Sequence, residues 1–247
     1  MTETTAPLLV LGKITQILDA FSLEHPSLSL AQLRLATGLP TSTVQRLVAN
    51  MVEAGLLERH GDRVRIGLRM AYWAAPAIRA IDALDLLAPL LDDLRDRTGE
   101  SVTLFRAEKH YRVCVALSHT RHELRQEVYV GRLMPLDAGS AGRVLLAWNP
   151  ELEATVLASL ADPDPLRRAV DTTRRQGFAI TEGERIDGAA GLSVPVFDAS
   201  GAVAFSLTVS GPAIRLTPEV AAGWVAELMS AGQTATRLLG GRPPALL

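Results

Sequence analysis

Apolar positions recur every three or four residues along the first part of the chain. In "VLGKITQILDAF" (10–21), Ile14, Ile17, Leu18 and Phe21 fall on one helical face, and "SLEHPS" then breaks the pattern. "SLAQLRLATG" predicts a second helix. Ser29 and Gln32 have capping-box spacing at its start, and Gly38 ends it, because glycine accepts the left-handed conformation of a C-cap. After the turn Gly38-Leu39-Pro40, a third helix starts near Thr41 or Ser42. Its core face is Val44, Leu47, Val48 and Met51 at i, i+3, i+4 and i+7. "LLERH" and "RVRIG" then read as short strands around Gly61-Asp62, a two-residue hairpin signal. This order of elements is that of a winged helix-turn-helix.

Leu68 to Thr98 reads as helix, with Pro76 and Pro89 kinking or dividing it. The part before Pro89 is expected to be a linker helix and the part after it the first helix of a second domain. Beyond, "SVTLFRA" and "RVCVALS" predict a hairpin around "EKHY", and "QEVYVG" predicts a strand. "GSAGRVLLAW", "PELEATVLASL" and "DPLRRAVDTTRRQG" predict helices. "FAITEG", "GLSVPVF" and "AVAFSLTVSG" predict strands. A last helix opens at Thr217-Pro218-Glu219, an N-cap with proline at the first helical position. Hairpin-joined strands with helices around them indicate an α+β fold with an antiparallel sheet. The expected division is 1–67 for the winged helix-turn-helix, 68–88 for the linker helix, 89–241 for the second domain and 242–247 for a tail.

At 48% hydrophobic and 21% charged, the composition is that of an ordinary folded protein. No stretch approaches the roughly 18 apolar residues of a membrane span. "MTETTAPLLVLGK" lacks a basic leader and a cleavage site, so a cytoplasmic protein is expected. Cys114 is the single cysteine, which excludes an internal disulfide and a cysteine-rich metal site. The net charge of −2 does not by itself announce a nucleic-acid partner. Local charge is more informative, since Arg59, Arg63, Arg65 and Arg69 crowd into and just after the hairpin.

The outer face of the third helix carries Ser42, Gln45, Arg46, Ala49 and Asn50, with no acid before Glu53. A solubilising face is instead rich in Glu and Lys. Arginine pairs with guanine and Gln or Asn with adenine, while hydroxyls at a helix start meet phosphates. Candidate DNA contacts are therefore Ser29, Thr41, Ser42, Thr43, Gln45, Arg46 and Asn50, with Arg59, Arg63 and Arg65 on the hairpin. Gln45 also lies at capping-box spacing from Ser42, so it either reads a base or caps its own helix. In "MPLDAGSAGRVLLAW", small residues at a helix start would let an anionic ligand approach free amides, over Ser140 and Ala141. "AGSAG" also falls one glycine short of a nucleophile elbow on Ser140, but no Asp and His follow in triad order. Glu182 and Glu184 read as a polar loop. His110, His119 and His122 read as surface residues without metal spacing. No catalytic residue, cofactor or metal is assigned.

The ordered motifs "GE", "GRVLLA", "RRQGFA", "ERIDG", "PVFDASG" and "SGPAIRLT" resemble the IclR family of bacterial transcriptional regulators over nearly the whole chain. The resemblance implies a winged helix-turn-helix, a linker helix and a GAF-like effector domain. It also implies dimers, often paired into tetramers, on palindromic operators, with repression the commoner mode. A small metabolite, an organic or amino acid, would change operator binding. Carried over by position, its pocket would use Ser140, Ala141, Thr181, Glu182, Gly191, Thr208 and Ser210. Asp137 stands where many members have His, Arg143 where they have Lys, and Gly191 where some have Cys, which leaves the ligand open.

Overall fold

The computed structural model describes residues 9–22, 25–79 and 82–242, so most of the expected tail lies outside the described residues. The chain divides into two compact units between Ile81 and Asp82.

In the first unit, α1 (Leu9–Asp19), β1 (Ser27–Ser29), α2 (Leu30–Thr37) and α3 (Thr41–Glu53) are followed by β2 (Leu57–His60), β3 (Arg63–Ile66) and α4 (Leu68–Arg79). The capping box at α2 forms in full: the Gln32 N–H donates to Ser29 Oγ at 3.3 Å, and the Ser29 N–H donates to Gln32 Oε1 at 2.9 Å. Gly38 closes α2 at φ 67°. The helical periodicity resolves into one core of Ile17, Leu33, Val44, Leu47, Val48 and Met51, closed by Leu28, Leu57 and Val64 from the strands. Sequence reading missed β1, which pairs with β3 and makes the wing three-stranded in the order β1-β3-β2.

The second unit contains α5 (Asp82–Thr98), β4 (Ser101–Glu108), β5 (Tyr111–Ser118), β6 (Leu133–Pro135), α6 (Ser140–Ala147), α7 (Pro150–Ala158) and α8 (Asp164–Gln176). β7 (Ala179–Glu182), β8 (Ala189–Phe197), β9 (Val203–Pro212), α9 (Pro218–Gly223) and α10 (Val225–Leu238) complete it. Its six strands form an antiparallel sheet in the order β6-β5-β4-β9-β8-β7. The fold is α+β, as the pattern of elements predicts.

Four expectations need correction. Pro89 lies inside α5 and does not divide it. "QEVYVG" forms no strand. Its alternating apolar residues are not matched by ladder bonds, and Gln126 Nε2 instead donates to the Gly211 carbonyl at 3.1 Å. The edge strand is β6, a few residues later. The β4–β5 turn is shorter than "EKHY": Glu108 pairs with Tyr111, and Lys109 takes φ 53°. Finally, the last helix is interrupted at Trp224 between α9 and α10.

Candidate functional site

Helix α3 buries Val44, Leu47, Val48 and Met51 and exposes Thr41, Ser42, Gln45, Arg46, Ala49 and Asn50, with Thr43 half-buried. Its N-cap is Pro40, and no side chain caps the helix. Ser42 thus lies inside the first turn, and no Ser42–Gln45 capping box forms. Gln45, Arg46 and Asn50 make no side-chain hydrogen bond to any described residue. Ser29 differs, because its hydroxyl accepts the α2 capping bond.

On the wing, the strand register fixes which arginines share a face. Glu58 stands opposite Arg65, His60 opposite Arg63, and Arg59 opposite the buried Val64. Arg63 and Arg65 therefore share the outer face, and Arg59 projects from the other side near the tip. Arg65 donates to Glu58 Oε2 from Nε and an Nη at 3.2 and 3.0 Å. The Leu68 N–H donates to the same carboxylate at 3.0 Å, and these bonds hold Glu58 below the usual carboxylate range. Arg63 donates to the Ser27 carbonyl. Arg59 is the wing arginine with no such partner among the described residues.

In the second unit, antiparallel pairing brings distant residues into rows. Thr181 is opposite Gly191, Gly191 opposite Ser210, and Ser210 opposite Ser101. One step along, Ser193, Thr208 and Thr103 align in the same way. Helix α6 packs over this face of β7, β8 and β9. The Ser140 N–H donates to Thr181 Oγ1 at 3.0 Å. The Ser193 hydroxyl donates to Ser140 Oγ at 2.7 Å and lies 2.8 Å from Thr208 Oγ1. Ser140 is therefore held by hydroxyls. No histidine or carboxylate reaches it among the described residues, so a hydrolytic reading has no base to activate this serine.

Glycines set the close approach. A Cβ at Gly142 would come within 2.2 Å of the Leu136 carbonyl oxygen and 2.9 Å of an Arg112 Nη. One at Gly191 would lie 2.9 Å from Ser140 Oγ. The glycine at 191 makes room for Ser140.

Between α6 and the sheet lies a chamber of about 60 Å3. Ser140, Ala141, Thr181, Gly191, Thr208 and Ser210 all line it, and Glu182 does not. Thr181 and Glu182 lie on β7, not on a loop, and adjacent strand residues point to opposite faces. Sequence reading missed Phe105, Arg112, Val128, Met134, Glu184, Arg185 and Ile186. Arg112 is 3% exposed and donates to the Pro135 and Ala138 carbonyls at 2.5 and 2.7 Å, while its buried Nε has no partner. Burial, and then the charge of Arg185, lower its guanidinium to about 10, so it stays cationic at neutral pH. Burial also lowers Arg185, with Arg132 adding to the effect. The chamber mixes apolar and polar groups, and its two cations and the α6 N-terminus face one carboxylate, Glu184, which leaves a positive balance suited to an anion.

Both halves of the chain match known sequence families. The IclR helix-turn-helix domain matches residues 10–61, and the domain described as "Bacterial transcriptional regulator IclR C-terminal" matches residues 75–237.

The chain belongs to the IclR family.

It is a DNA-binding transcriptional regulator of the helix-turn-helix type. Its relatives include the transcriptional repressor IclR of Escherichia coli K12, 24% identical over 92% of this chain and 88% of that protein. Among solved structures, an IclR-family transcriptional regulator from Brucella abortus shares the fold at TM-score 0.80. It is 18% identical and covers 95% of this chain and 94% of its own. An IclR homologue from Microbacterium hydrocarbonoxydans, complexed with 4-hydroxybenzoate, aligns at TM-score 0.72. It is 26% identical over 92% of this chain and 99% of its own.

Family motifs that looked like mere labels in the sequence have structural roles in this IclR-family chain. Glu100 of "TGE", 5% exposed, forms a two-pronged pair with Arg215 of "SGPAIRLT" at 2.5 and 2.9 Å. Gly211 is glycine because a Cβ there would lie 2.4 Å from Glu100 Oε2. Among the described residues no helix is long and apolar enough to cross a membrane, and no cluster of His, Cys, Asp or Glu could hold a metal.

Proposed function

We propose that this regulator is a sequence-specific operator-binding protein, a repressor by default, whose DNA affinity is set by a small organic or amino acid. The unspent outer face of α3 carries this reading: Gln45, Arg46 and Asn50 are exposed and make no side-chain hydrogen bond among the described residues, above a fully packed inner face. Gln45, Arg46 and Asn50 read base edges in the major groove. Ser29, Thr41, Ser42 and Thr43 meet phosphates at the helix starts, and Arg59, Arg63 and Arg65 lie along the backbone or in the minor groove.

Residues 1–67 serve DNA and 68–88 lead into an effector domain at 89–241, with α5 continuous across that last boundary. The protein binds palindromic operators as a homodimer that pairs into tetramers, and works in the cytoplasm. The effector is held by Ser140, Ala141, Thr181, Gly191, Thr208 and Ser210, with Arg112 and Arg185 supplying positive charge. The 4-hydroxybenzoate in the Microbacterium relative supports an acid as ligand. Switching requires that the acid bind the DNA-competent and DNA-incompetent arrangements with different affinity.

The test has two steps. Selection from random duplexes should return a palindromic site, and a library of organic and amino acids should contain one that both raises Tm and changes affinity for that site. An acid that binds tightly without changing operator affinity refutes the switching scheme. Recovery of no preferred sequence refutes operator reading.

A further inference from the structure

The chamber beneath α6 has room for no more than a small acid: its volume of about 60 Å3 falls below the roughly 300–1,000 Å3 of pockets that take drug-sized ligands. A carboxylate already stands at its edge. Glu184 accepts the Gly139 N–H at 3.0 Å, at the N-cap of α6, and pairs with Arg143. On the far side of this ion pair lies a second cavity of about 320 Å3. Leu160, Pro165, Leu166 and Ala169 give it an apolar wall, and Arg143, Glu184, Asp137 and Asp162 also line it, so only an uncharged part of a ligand suits it. Glu184 thus belongs to the walls of both spaces, while its partner Arg143 lines the second alone.

Glu184 is carried on the connection between β7 and β8, bounded by Gly183 and Gly188 at φ 70° and 72°. The connection itself is anchored, because the Gly183 N–H donates to the Ala189 carbonyl and the Ala213 N–H donates to the Gly188 carbonyl, both at 2.8 Å, so Glu184 would leave by rotation of its side chain. Inside the chamber, the buried Arg112 Nε still has no acceptor.

We propose that Glu184 is a tethered substitute for the effector's carboxylate, and that the site selects acids able to displace it. The incoming carboxylate takes the Gly139 N–H and Arg143 from Glu184, as charge-assisted bonds of the same kind. The ligand keeps its contacts with the chamber residues, and the part of its apolar body that the chamber cannot hold extends into the second cavity. The ligand class is a carboxylate too large for the chamber alone, and Glu184 sets a threshold that neutral or weakly held compounds do not cross. The observed affinity is then the intrinsic one reduced by the fraction of sites that Glu184 leaves open. This inference rests on the reading that the pocket takes an acid.

The experiment uses the full-length protein and titrates 4-hydroxybenzoate and benzoate as carboxylate probes, with 4-hydroxybenzamide as the neutral control, followed by calorimetry and Tm. Glu184→Gln should bind both acids about fivefold more tightly than wild type, the size of one partly screened ion pair. The amide should be unaffected. Arg143→Met should weaken the acids in both backgrounds, and Glu184→Ala should reproduce Glu184→Gln. Equal or weaker acid binding by Glu184→Gln overturns the substitution while leaving the acid reading in place. A matching gain for the amide overturns it in favour of simple steric opening. Failure of either acid to bind either protein overturns both readings.

Discussion

Helices α3 and α6 both follow short glycine-containing turns, yet they use their surfaces in opposite ways. Helix α3 buries one face and leaves the other free, with Gln45, Arg46 and Asn50 exposed. Helix α6 buries seven of its eight residues, and its start is engaged by Thr181, Ser193 and Glu184. A face that reads DNA keeps its donors and acceptors available to a partner that arrives whole. A pocket without its ligand must satisfy its polar groups internally or leave them costly. Substitutions in α6 should therefore cost stability first, and those on α3 should cost recognition alone.

The strongest break in this contrast is Gly142→Ala. The new Cβ meets a backbone carbonyl at 2.2 Å and an Arg112 Nη at 2.9 Å, and a backbone atom does not rotate away. A loss of about 3 kcal/mol is expected, at the upper end of overpacking costs. For a unit of this size that lowers Tm by about 6–12 °C in a thermal melt.

Arg46→Ala should do the reverse. Stability should stay within about 0.5 kcal/mol, as for other exposed substitutions. Discrimination between the operator and random DNA should fall by about 1–3 kcal/mol, measured by competition binding. Equal loss on all sequences would remove Arg46 from the base-reading set. Gln45→Ala sharpens the same point, because no Ser42–Gln45 cap forms and so no helix stability is lost with it.

Gly191→Ala lies between the two. Its Cβ meets Ser140 Oγ at 2.9 Å, and a hydroxyl can turn aside, but the bond from Ser193 is then lost. About 1 kcal/mol is expected from denaturant unfolding, the worth of one hydrogen bond. A cost as large as that of Gly142→Ala would mean that Ser140 cannot move.

The same contrast explains what was legible in the sequence. The α3 face needs one helix and a period of 3.6, so Val44, Leu47, Val48 and Met51 place the outer face without knowledge of anything distant. The pocket depends on β7, β8 and β9 aligning Thr181, Gly191 and Ser210, and pairing register is not written in any one strand. Those residues came from family resemblance, and Glu182 shows the cost of transfer by position: one residue along a strand turns its side chain away. Arg112 left a signal that went unread. It shares parity with the buried Cys114 in "YRVCVAL", and a charge at a core position of a strand is a candidate for function. Glu184 and Arg185 stand in the family motif "ERIDG", but a charged hairpin connection looks like solvent-facing surface and so they read as a polar loop. "QEVYVG" misled through its alternation: Val128 is buried but Val130 is exposed, and no neighbouring strand pairs with the segment.

The wing tests the contrast at its finest scale, because Arg59 and Arg65 differ in how far they are already engaged. Arg65 is held by Glu58, so a phosphate must compete with a carboxylate that also anchors the Leu68 N–H. Arg59 has no competitor among the described residues. Each full phosphate contact steepens the dependence of log K on log salt by about one unit. Arg59→Ala should thus lower the slope by about one, and Arg65→Ala by clearly less, with sequence preference unchanged in both. Glu58→Gln should free Arg65 and raise the slope toward the value of an additional contact. If Arg65→Ala costs a full unit in the presence of Glu58, the ion pair breaks on DNA, and engagement within the free protein does not decide which wing arginines serve the backbone.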